Sequence, residues 1–346
     1  MMTSLTQRLH REHITDVFMG ELDRLRPNTI APFELVEFTG ADEALGDART
    51  LQDFLPNEGG LYVDVMYADI AQRACRAEFT TQETLAIGRE DSRNSVFFGT
   101  LALRSFRPSD PLLATNIAVK PFAENDGGKF LAKELYMTSV LHSRGLDTIN
   151  TIGVLRTPDV SFLLSKFKPE AITLDSIDWL NLDPITSKQV TDKAVFDLVQ
   201  LHQHRLIHGD ALPRNLTLQP DVQRTWYVDL EYGAHVDSVY KLHMGIKSDL
   251  TRLYEGLCIL QGKPQSFKDF VATVFEPYEQ SIILLLNDSA TTESAREGLT
   301  TISRLLKLLG KEFNRHISGD PMTADERQFH FEALNFGPIF ASAFAG

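Results

Sequence analysis

The sequence predicts an α+β protein with two unequal lobes, and three patterns in its side chains support this fold class. Short runs of branched and aromatic residues, separated by polar stretches, begin at Thr84 and are typical of antiparallel strands. One helical pattern lies among them. After Asp249 the apolar residues recur almost entirely at helical spacing. Strands with a single helix, followed by a helical half, favour a bilobal α+β arrangement.

The predicted domain boundaries follow the changes in these patterns. Residues 81–168 are expected to form a small N-lobe of antiparallel sheet with one helix, and residues 169–346 a larger helical C-lobe. Residues 1–80 are predicted to be an N-terminal extension. A helical pattern covers Thr6 to Leu25 within it, whereas the stretch from Ile30 to Thr80 matches no single element. The N-terminal helix is expected to cap the fold, to dimerise or to recognise a substrate.

The individual elements are read from periodicity and from their end signals. The predicted strands are TLAIG (84–88), SVFFGTLAL (95–103), NIAVKPF (116–122), INTIGVL (149–155) and VSFLLSKF (160–167). The predicted helix GGKFLAKELYMTSVLHSRG lies between the third and fourth strands and ends at Gly145. A second clear helix, TSKQVTDKAVFDLVQLHQHRL, is expected to begin with Thr186 as its N-cap and Gln189 as its capping-box partner.

Composition limits the classes of partner and compartment. The chain has 346 residues, of which 43% are hydrophobic and 23% charged, and its formal net charge is −13. Because nucleic-acid binders usually carry a basic face, we expect no nucleic-acid partner. Two distant cysteines, the absence of a leader pattern in the first residues and the absence of a long apolar run predict a cytoplasmic protein without a transmembrane segment.

The stretch HGDALPRN (208–215), followed by VDLE (228–231), carries the chemistry. Asp210 and Asn215 lie in the first stretch, and Asp229 ends a short apolar run in the second. This set of groups suits phosphoryl transfer. A carboxylate can accept a hydroxyl proton, while an amide oxygen and a second carboxylate can hold Mg²⁺ against nucleotide phosphates.

The two stretches resemble the catalytic loop and the metal-binding segment of the protein-kinase-like superfamily. Gly209, in place of the usual Arg, makes the first stretch similar to the small-molecule branch, which includes aminoglycoside phosphotransferases and choline kinases. The segment DLEYG is similar to the choline-kinase form. The resemblance implies that Asp210 is the catalytic aspartate, that Asn215 and Asp229 are metal ligands, and that His208 braces the loop.

The upstream half should then supply a phosphate-binding lysine with an acidic partner. IAVK (117–120) is similar to the kinase V-A-I-K pattern, and strand alternation places Lys120 on the same face as Ala118. Glu134 lies within the apolar stripe of the next predicted helix, where a carboxylate is costly unless it is paired. We therefore expect Lys120 and Glu134 to pair and Lys120 to bind the phosphates of ATP.

The nucleotide-covering loop should join the first two strands of this lobe, and it departs from the family pattern. No G-x-G-x-x-G occurs there. Only Gly88 precedes Val96, and small polar residues that include Ser92 and Ser95 occupy the turn, where their amides and hydroxyls can bind phosphate.

Three further residues are assigned supporting roles around the catalytic loop. By resemblance Asp249 supports the loop, while Arg214 supplies the positive charge that Leu212 does not. Glu231 shares a strand face with Asp229 and is expected to contact a second Mg²⁺ or a cationic substrate, or else to form a surface salt bridge. The chain has no A-P-E triplet and a short segment after Asp229, which argues against a protein kinase switched by phosphorylation.

These observations predict an ATP- and Mg²⁺-dependent phosphotransferase acting on a hydroxyl of a small molecule. An alternative is an atypical Ser/Thr protein kinase or a nucleotidyl-transferring enzyme that acts on a protein. A non-catalytic kinase-like scaffold is the third hypothesis. The sequence indicates neither the acceptor nor the oligomeric state.

Simpler interpretations of the same residues exist. HGDALPRN is also compatible with a polar turn after a helix, in which Asp and Asn satisfy backbone groups. HQHRLIH superficially resembles a histidine metal cluster, but His202 and His204 diverge on a helix, so a helix-face role is favoured. The amphipathic ISRLLKLLGKEFNR pattern suits either a membrane surface or, more commonly, packing within the C-lobe.

Overall fold

The structure, a computed structural model, describes residues 14–25, 30–33, 59–82, 96–105, 111–123, 129–146, 148–167, 171–219 and 224–318. The chain divides into two compact units, Met1–Ala171 and Ile172–Gly346. The first unit is a sheet with helices, and the second is dominated by helices, so the protein is of the mixed α+β class. None of the helices in these described ranges is long and apolar enough to cross a membrane.

The first unit is built on a seven-stranded sheet in the order β1-β2-β6-β7-β5-β4-β3. Strands β1 and β2 pair in parallel, and all the other neighbours pair antiparallel. The strands are β1 Ile30–Phe33, β2 Gly60–Asp64, β3 Arg76–Thr81, β4 Phe97–Arg104, β5 Leu113–Ala123, β6 Thr151–Arg156 and β7 Val160–Lys166.

Three of these strands lie within residues 30–81, and the sequence pattern from Ile30 to Thr80 indicated no element. β1, β2 and β3 are four, five and six residues long, too short for a clear period of two. The described parts of residues 1–80 thus contribute to the sheet of the first unit. The predicted strand TLAIG (84–88) lies outside the described residues.

Helices cover the two faces of this sheet. α1, residues 14–24, buries Phe18 completely against the sheet, with edge-on ring contacts at 5.1–5.4 Å. The rings in contact with it are Phe79, Phe97 and Phe162. α2, Ala68–Arg73, packs into the same core, while α3, Lys129–Ser143, packs with Phe122 and Leu163 in a separate core cluster. Within its unit, α1 therefore caps the sheet, which is one of the three roles considered for this helix.

Gly145 ends α3 as the sequence predicts. Its φ of +68° places it in the left-handed region, and the N–H groups of Gly145 and Leu146 donate to the carbonyls of His142 and Leu141. This pattern satisfies the last carbonyl groups of the helix.

The second unit consists of helices and short strands that present loops. The helices are α4 Pro184–His202, α5 Val239–Leu260, α6 Phe267–Phe270, α7 Glu276–Asn287 and α8 Glu293–Ser318. The strands are β8 Ile172–Thr173, β9 Leu206–Ile207, β10 Leu216–Gln219, β11 Arg224–Tyr227 and β12 Ala234–His235. They form a three-stranded sheet, β11-β10-β8, and a two-stranded ladder, β12-β9.

The predicted start of α4 is wrong by one turn. Asp183, not Thr186, is the N-cap, and its carboxylate accepts from the backbone N–H groups of Ile185 and Thr186 at 3.0 Å. Pro184 occupies the first turn, where its fixed φ suits a helix and its missing N–H is not needed. The Asp183-Pro184 pair, and not the capping-box match at Thr186, therefore determines where the helix begins.

α8 contributes the amphipathic pattern that was also compatible with a membrane surface. Its residues Leu299, Ile302, Leu305 and Leu306 are buried within the second unit. The apolar C-terminal stretch NFGPIFASAFAG (335–346) lies outside the described residues.

Candidate functional site

Lys120 and Glu134 form a buried ion pair in the first unit. The Lys120 Nζ lies 2.5 Å from Glu134 Oε2, and the two side chains are 11% and 1% exposed. β5 alternates so that Val119 enters the core beneath α1, while Lys120 lies on the α3 side. The ammonium group also stands 4.8 Å from the centre of the Phe122 ring on the same strand face. The pairing that the sequence predicts is present.

The other residues assigned to nucleotide binding are only partly described. Ala118 pairs with Phe98 on β4 and Ser165 on β7, and Val96 directly precedes β4. Ser92, Ser95 and Gly88, in the predicted phosphate-covering turn, lie outside the described residues.

In the second unit the HGDALPRN stretch forms a tight loop between β9 and β10. Asp210 is nearly buried, and its backbone carbonyl accepts from the N–H of Leu212 at 2.7 Å and from the Asn215 amide at 2.8 Å. Gly209 has a φ of +78°, and a Cβ there would stand 2.2 Å from the carbonyl oxygen of Tyr232. A side chain at position 209 would therefore push the 208–215 loop away from the segment after Asp229.

The orientation of the Asn215 side chain follows from its partners. Its Nδ2 donates to both the carbonyl oxygen and Oδ2 of Asp210, at 2.8 and 3.0 Å. Both partners are acceptors, so the nitrogen must face them and the amide oxygen must face away. That oxygen takes part in none of the hydrogen bonds within the described ranges. Asn215 is a buried residue, and an amide oxygen without a protein donor suits a hard cation.

A hairpin positions Asp229 relative to Asn215. β10 and β11 pair from Leu216 opposite Tyr227, and the N–H of Val228 donates to the Asn215 carbonyl at 3.1 Å. Asp229 follows immediately with φ 61° and ψ 54°, a left-handed conformation that is uncommon outside glycine. Backbone strain of this kind is concentrated at functional sites. Here the strained residue is the one that carries the carboxylate, and a short helical turn follows it.

A group of carboxylates surrounds Tyr232 in the turn after Asp229. The charge of Glu231 is the largest cause that raises the pKa of Tyr232, followed by burial and by the charges of Asp229 and Asp210. Glu231 is buried in the same short helical turn, Leu230–Tyr232, so the prediction that it shares a strand face with Asp229 is wrong. The three carboxylates thus lie within electrostatic reach of one phenol, an arrangement that concentrates negative charge where a divalent cation is expected.

Asp249 on α5 holds the 208–215 loop. Its two oxygens accept from the backbone N–H groups of His208 at 2.7 Å and Gly209 at 2.9 Å. Oδ2 also lies 3.1 Å from Nε2 of His202, whose Nδ1 lies 2.7 Å from the Tyr278 hydroxyl. A neutral His202 that donates through Nε2 to the carboxylate accepts a hydrogen bond from the Tyr278 hydroxyl at Nδ1. Asp249 is fully buried, so these donors replace its hydration.

The two histidines near the loop therefore have different positions. His202 is not a surface residue of α4, because it is completely buried in the Asp249 network. His208 is also fully buried, and its Nδ1 accepts from the Asp210 N–H at 3.4 Å. Its ring lies 6.1 Å from that of Tyr227, and its Nε2 has no hydrogen-bond partner among the described residues.

Two arginines contact the Asp210 carboxylate. Arg214 Nη2 lies 3.4 Å from Oδ2, and Arg252 Nη1 lies 2.5 Å from Oδ1. Arg252 was missed at the sequence level. It stands one turn beyond Asp249 on α5, so spacing on that helix places it on the face that meets the loop. Asp249 was already assigned to support the loop, so the spacing of one turn between Asp249 and Arg252 is the signal that could have identified Arg252.

The structure therefore joins the predicted residues within each unit: Lys120 with Glu134 in the first, and Asp210 with Asn215, Arg214 and the Asp249-held loop in the second. A scan against models of known protein families finds no match, and a search of curated proteins finds none either.

Proposed function

We propose that the protein is an ATP- and Mg²⁺-dependent phosphotransferase with a bilobal kinase-like fold, which phosphorylates a hydroxyl of a small molecule. The observation that carries the proposal is the Asp210–Asn215 arrangement. One amide nitrogen orients the base, while its oxygen is left for a cation. A polar turn that merely satisfied its own backbone would account for the bond to the Asp210 carbonyl but not for the bond to its carboxylate. The buried Lys120–Glu134 pair supports the proposal independently.

The proposed reaction assigns one role to each group. Lys120, oriented by Glu134, binds the phosphates of ATP, and Asp210 accepts the proton of the acceptor hydroxyl. The acceptor oxygen then bonds to the γ-phosphorus while the bond from that phosphorus to the bridging oxygen of ADP breaks. Positioning and charge stabilisation provide most of the rate enhancement in such transfers.

The residues present fit Mg²⁺. Asn215 and Asp229 offer an amide oxygen and a carboxylate at the same end of one hairpin, and Glu231 adds a carboxylate close to Asp229 in sequence. These are the oxygen ligands that Mg²⁺ prefers. When bound, the ion would neutralise the phosphate charge that builds up during transfer.

The proposal places the enzyme in the cytoplasm, where ATP is abundant and its two cysteines stay reduced. Both Cys75 and Cys258 are buried as free thiols.

The test is phosphoryl transfer from ATP labelled at the γ-phosphate, with a pool of small metabolites as acceptors. Asp210→Ala should keep ATP binding and lose about 10²–10⁴-fold in turnover, because it removes a general base. Asp229→Ala should lose the Mg²⁺-dependent part of ATP binding. Asp192→Ala, which removes a half-exposed carboxylate paired with Lys188, is the matched control and should retain full activity.

Each other outcome has a defined meaning. Full turnover in Asp210→Ala would exclude Asp210 as the base. Label that enters protein, from either the α- or the γ-phosphate, would move the acceptor to the protein alternatives. If ATP with Mg²⁺ neither stabilises the protein against heat nor is consumed, the non-catalytic scaffold would be favoured.

A further inference from the structure

We infer that Arg252 and Arg214 form a binding site for an anionic group, phosphate or carboxylate, beside Asp210. Under the phosphotransferase function proposed above, on which this assignment of the ligand rests, that group belongs to the acceptor. The acceptor is then a hydroxyl compound with a negative charge, not a cationic one.

The contacts leave most of both guanidinium groups available. Arg252 uses Nη1 on Asp210 Oδ1, and Arg214 uses Nη2 on Asp210 Oδ2. A guanidinium carries five N–H donors. Apart from these two contacts, neither arginine makes a hydrogen bond to the part of the chain that the structure describes.

Exposure shows which groups an incoming ligand can reach. The side chains of Arg252 and Arg214 are 45% and 39% exposed, whereas that of Asp210 is 9% exposed. Pairing Asp210 with either arginine alone would satisfy its charge. The second guanidinium therefore keeps N–H donors available on the accessible side of the loop.

Other carboxylates lie near this site. Burial raises the pKa of Glu255, one turn beyond Arg252 on α5, by more than the charge of Arg252 lowers that pKa. Asp210 acts on Tyr232 together with Glu231 and Asp229, in the region assigned to the metal. Asp210 is thus shared by the two guanidinium groups and the carboxylate group near Tyr232.

The geometry also links anion binding to the reaction. Phosphate and carboxylate bind guanidinium groups through paired N–H donors. An anion on Arg252 and Arg214 holds the remainder of the same molecule next to the Asp210 oxygens, where a hydroxyl can donate its proton. The anion also draws Arg252 away from Asp210 Oδ1, so that binding of the substrate leaves this oxygen free to accept the hydroxyl proton.

Calorimetric titration without nucleotide tests the site directly, with three probes of similar size: glycerol 3-phosphate, glycerol and ethanolamine. We expect the wild-type protein to bind glycerol 3-phosphate and neither of the other two. Arg252→Ala should weaken that binding at least tenfold, and Arg252→Lys should weaken it less. Arg304→Ala, an exposed arginine on α8, is the control and should bind like the wild type.

Two results would overturn the inference: glycerol 3-phosphate binding that is unchanged in Arg252→Ala, or tighter binding of ethanolamine. Circular dichroism verifies that each variant is folded, and Arg214→Ala provides a second variant at the same site. Dependence on Arg252 separates this site from Lys120, where nucleotide phosphates are expected to bind.

Turnover separates this inference from the proposed function. Asp210-dependent transfer to neutral or cationic acceptors, with no preference for anionic ones, would leave the phosphotransferase in place and refute the anionic acceptor. Arg252-dependent phosphate binding in a protein that consumes no ATP would support the anion site and contradict the phosphotransferase. If both hold, Arg252→Ala should raise KM for anionic acceptors more than it lowers kcat.

Discussion

Glu134 in the first unit and Asp249 in the second are both almost completely buried carboxylates, yet they are stabilised in different ways. Glu134 is paired with a charged group, the Lys120 ammonium. Asp249 is held by the backbone N–H groups of His208 and Gly209 and by the His202 ring. A side-chain partner can be replaced together with its carboxylate, whereas a backbone donor cannot. The first arrangement should therefore be removable without loss of stability, and the second should not.

Replacing Asp249 should give the largest loss of stability. Asp249→Ala leaves two buried N–H groups and the His202 ring without an acceptor, and each such group costs about 1–3 kcal/mol. We expect the free energy of unfolding to fall by about 3–5 kcal/mol, measured by urea denaturation. Asp249→Asn keeps one acceptor oxygen and should lose less.

Pairing Asp249→Ala with His202→Leu should restore little, because the backbone donors remain. Full recovery in that double variant would show that the ring, and not the loop backbone, is what Asp249 stabilises.

Removing one member of the Lys120–Glu134 pair should have the next largest effect. Glu134→Ala leaves a nearly buried ammonium without its partner and should cost about 3 kcal/mol. The double variant Lys120→Met/Glu134→Leu replaces both charges with apolar groups and should recover most of this stability in the same urea experiment. It should still lack ATP turnover.

If the double variant is as unstable as Glu134→Ala, the contrast between the two carboxylates is wrong. If it remains active, Lys120 does not bind the nucleotide.

Gly209, whose N–H donates to Asp249, tests how much the backbone geometry around Asp249 contributes to stability. Gly209→Ala imposes a left-handed φ on a residue with a Cβ and also brings that Cβ against the Tyr232 carbonyl, so it should cost about 2–3 kcal/mol. Gly145→Ala has a similar φ of +68° with nothing within 4 Å, and should cost only about 1 kcal/mol. Equal losses of thermal stability in the two variants would mean that the contact with Tyr232 has no energetic effect.

Replacing Asp183 should have the smallest effect on stability, because this carboxylate is also held by backbone N–H groups but lies in solvent. Hydrogen bonds from the Thr186 side chain and backbone, and then from the Ile185 backbone, lower the pKa of Asp183 below its ordinary value of 3.8. Because the folded-state pKa is the lower one, this stability is present above pH 3.8 and is lost as the pH falls through the folded-state pKa.

Asp183→Asn keeps a capping oxygen but cannot titrate, so the difference in melting temperature between it and the wild type should shrink as the pH falls below 4. A difference that is constant across this range would contradict the assigned role of Asp183.

Local chemistry made much of the candidate site predictable. Glu134 was identified because a carboxylate in an apolar stripe requires a partner. Lys120 was identified because IAVK is similar to the kinase V-A-I-K pattern, and strand alternation gave its face. The spacing of Arg252 from Asp249 places it on the same face of α5, but its contact with Asp210 depends on how closely that helix approaches the loop. The strands β1, β2 and β3 were missed for a related reason: each is short, and its partner is distant in sequence.

The sequence by itself determined the α+β class, the positions of α3 and α4 to within about one turn, and the residue types on which the proposed phosphoryl chemistry depends. These depend on periodicity and on the types of functional groups, which are local properties. Only the tertiary structure decided that the Asn215 amide turns its nitrogen to Asp210, that His202 is buried against Asp249, and that two arginines contact the Asp210 carboxylate. The His202–Asp249 and Arg252–Asp210 contacts join residues 47 and 42 positions apart, and packing fixes the distance between such segments. The Asn215 and Arg214 contacts depend on the path of the loop backbone, which residue types alone do not specify.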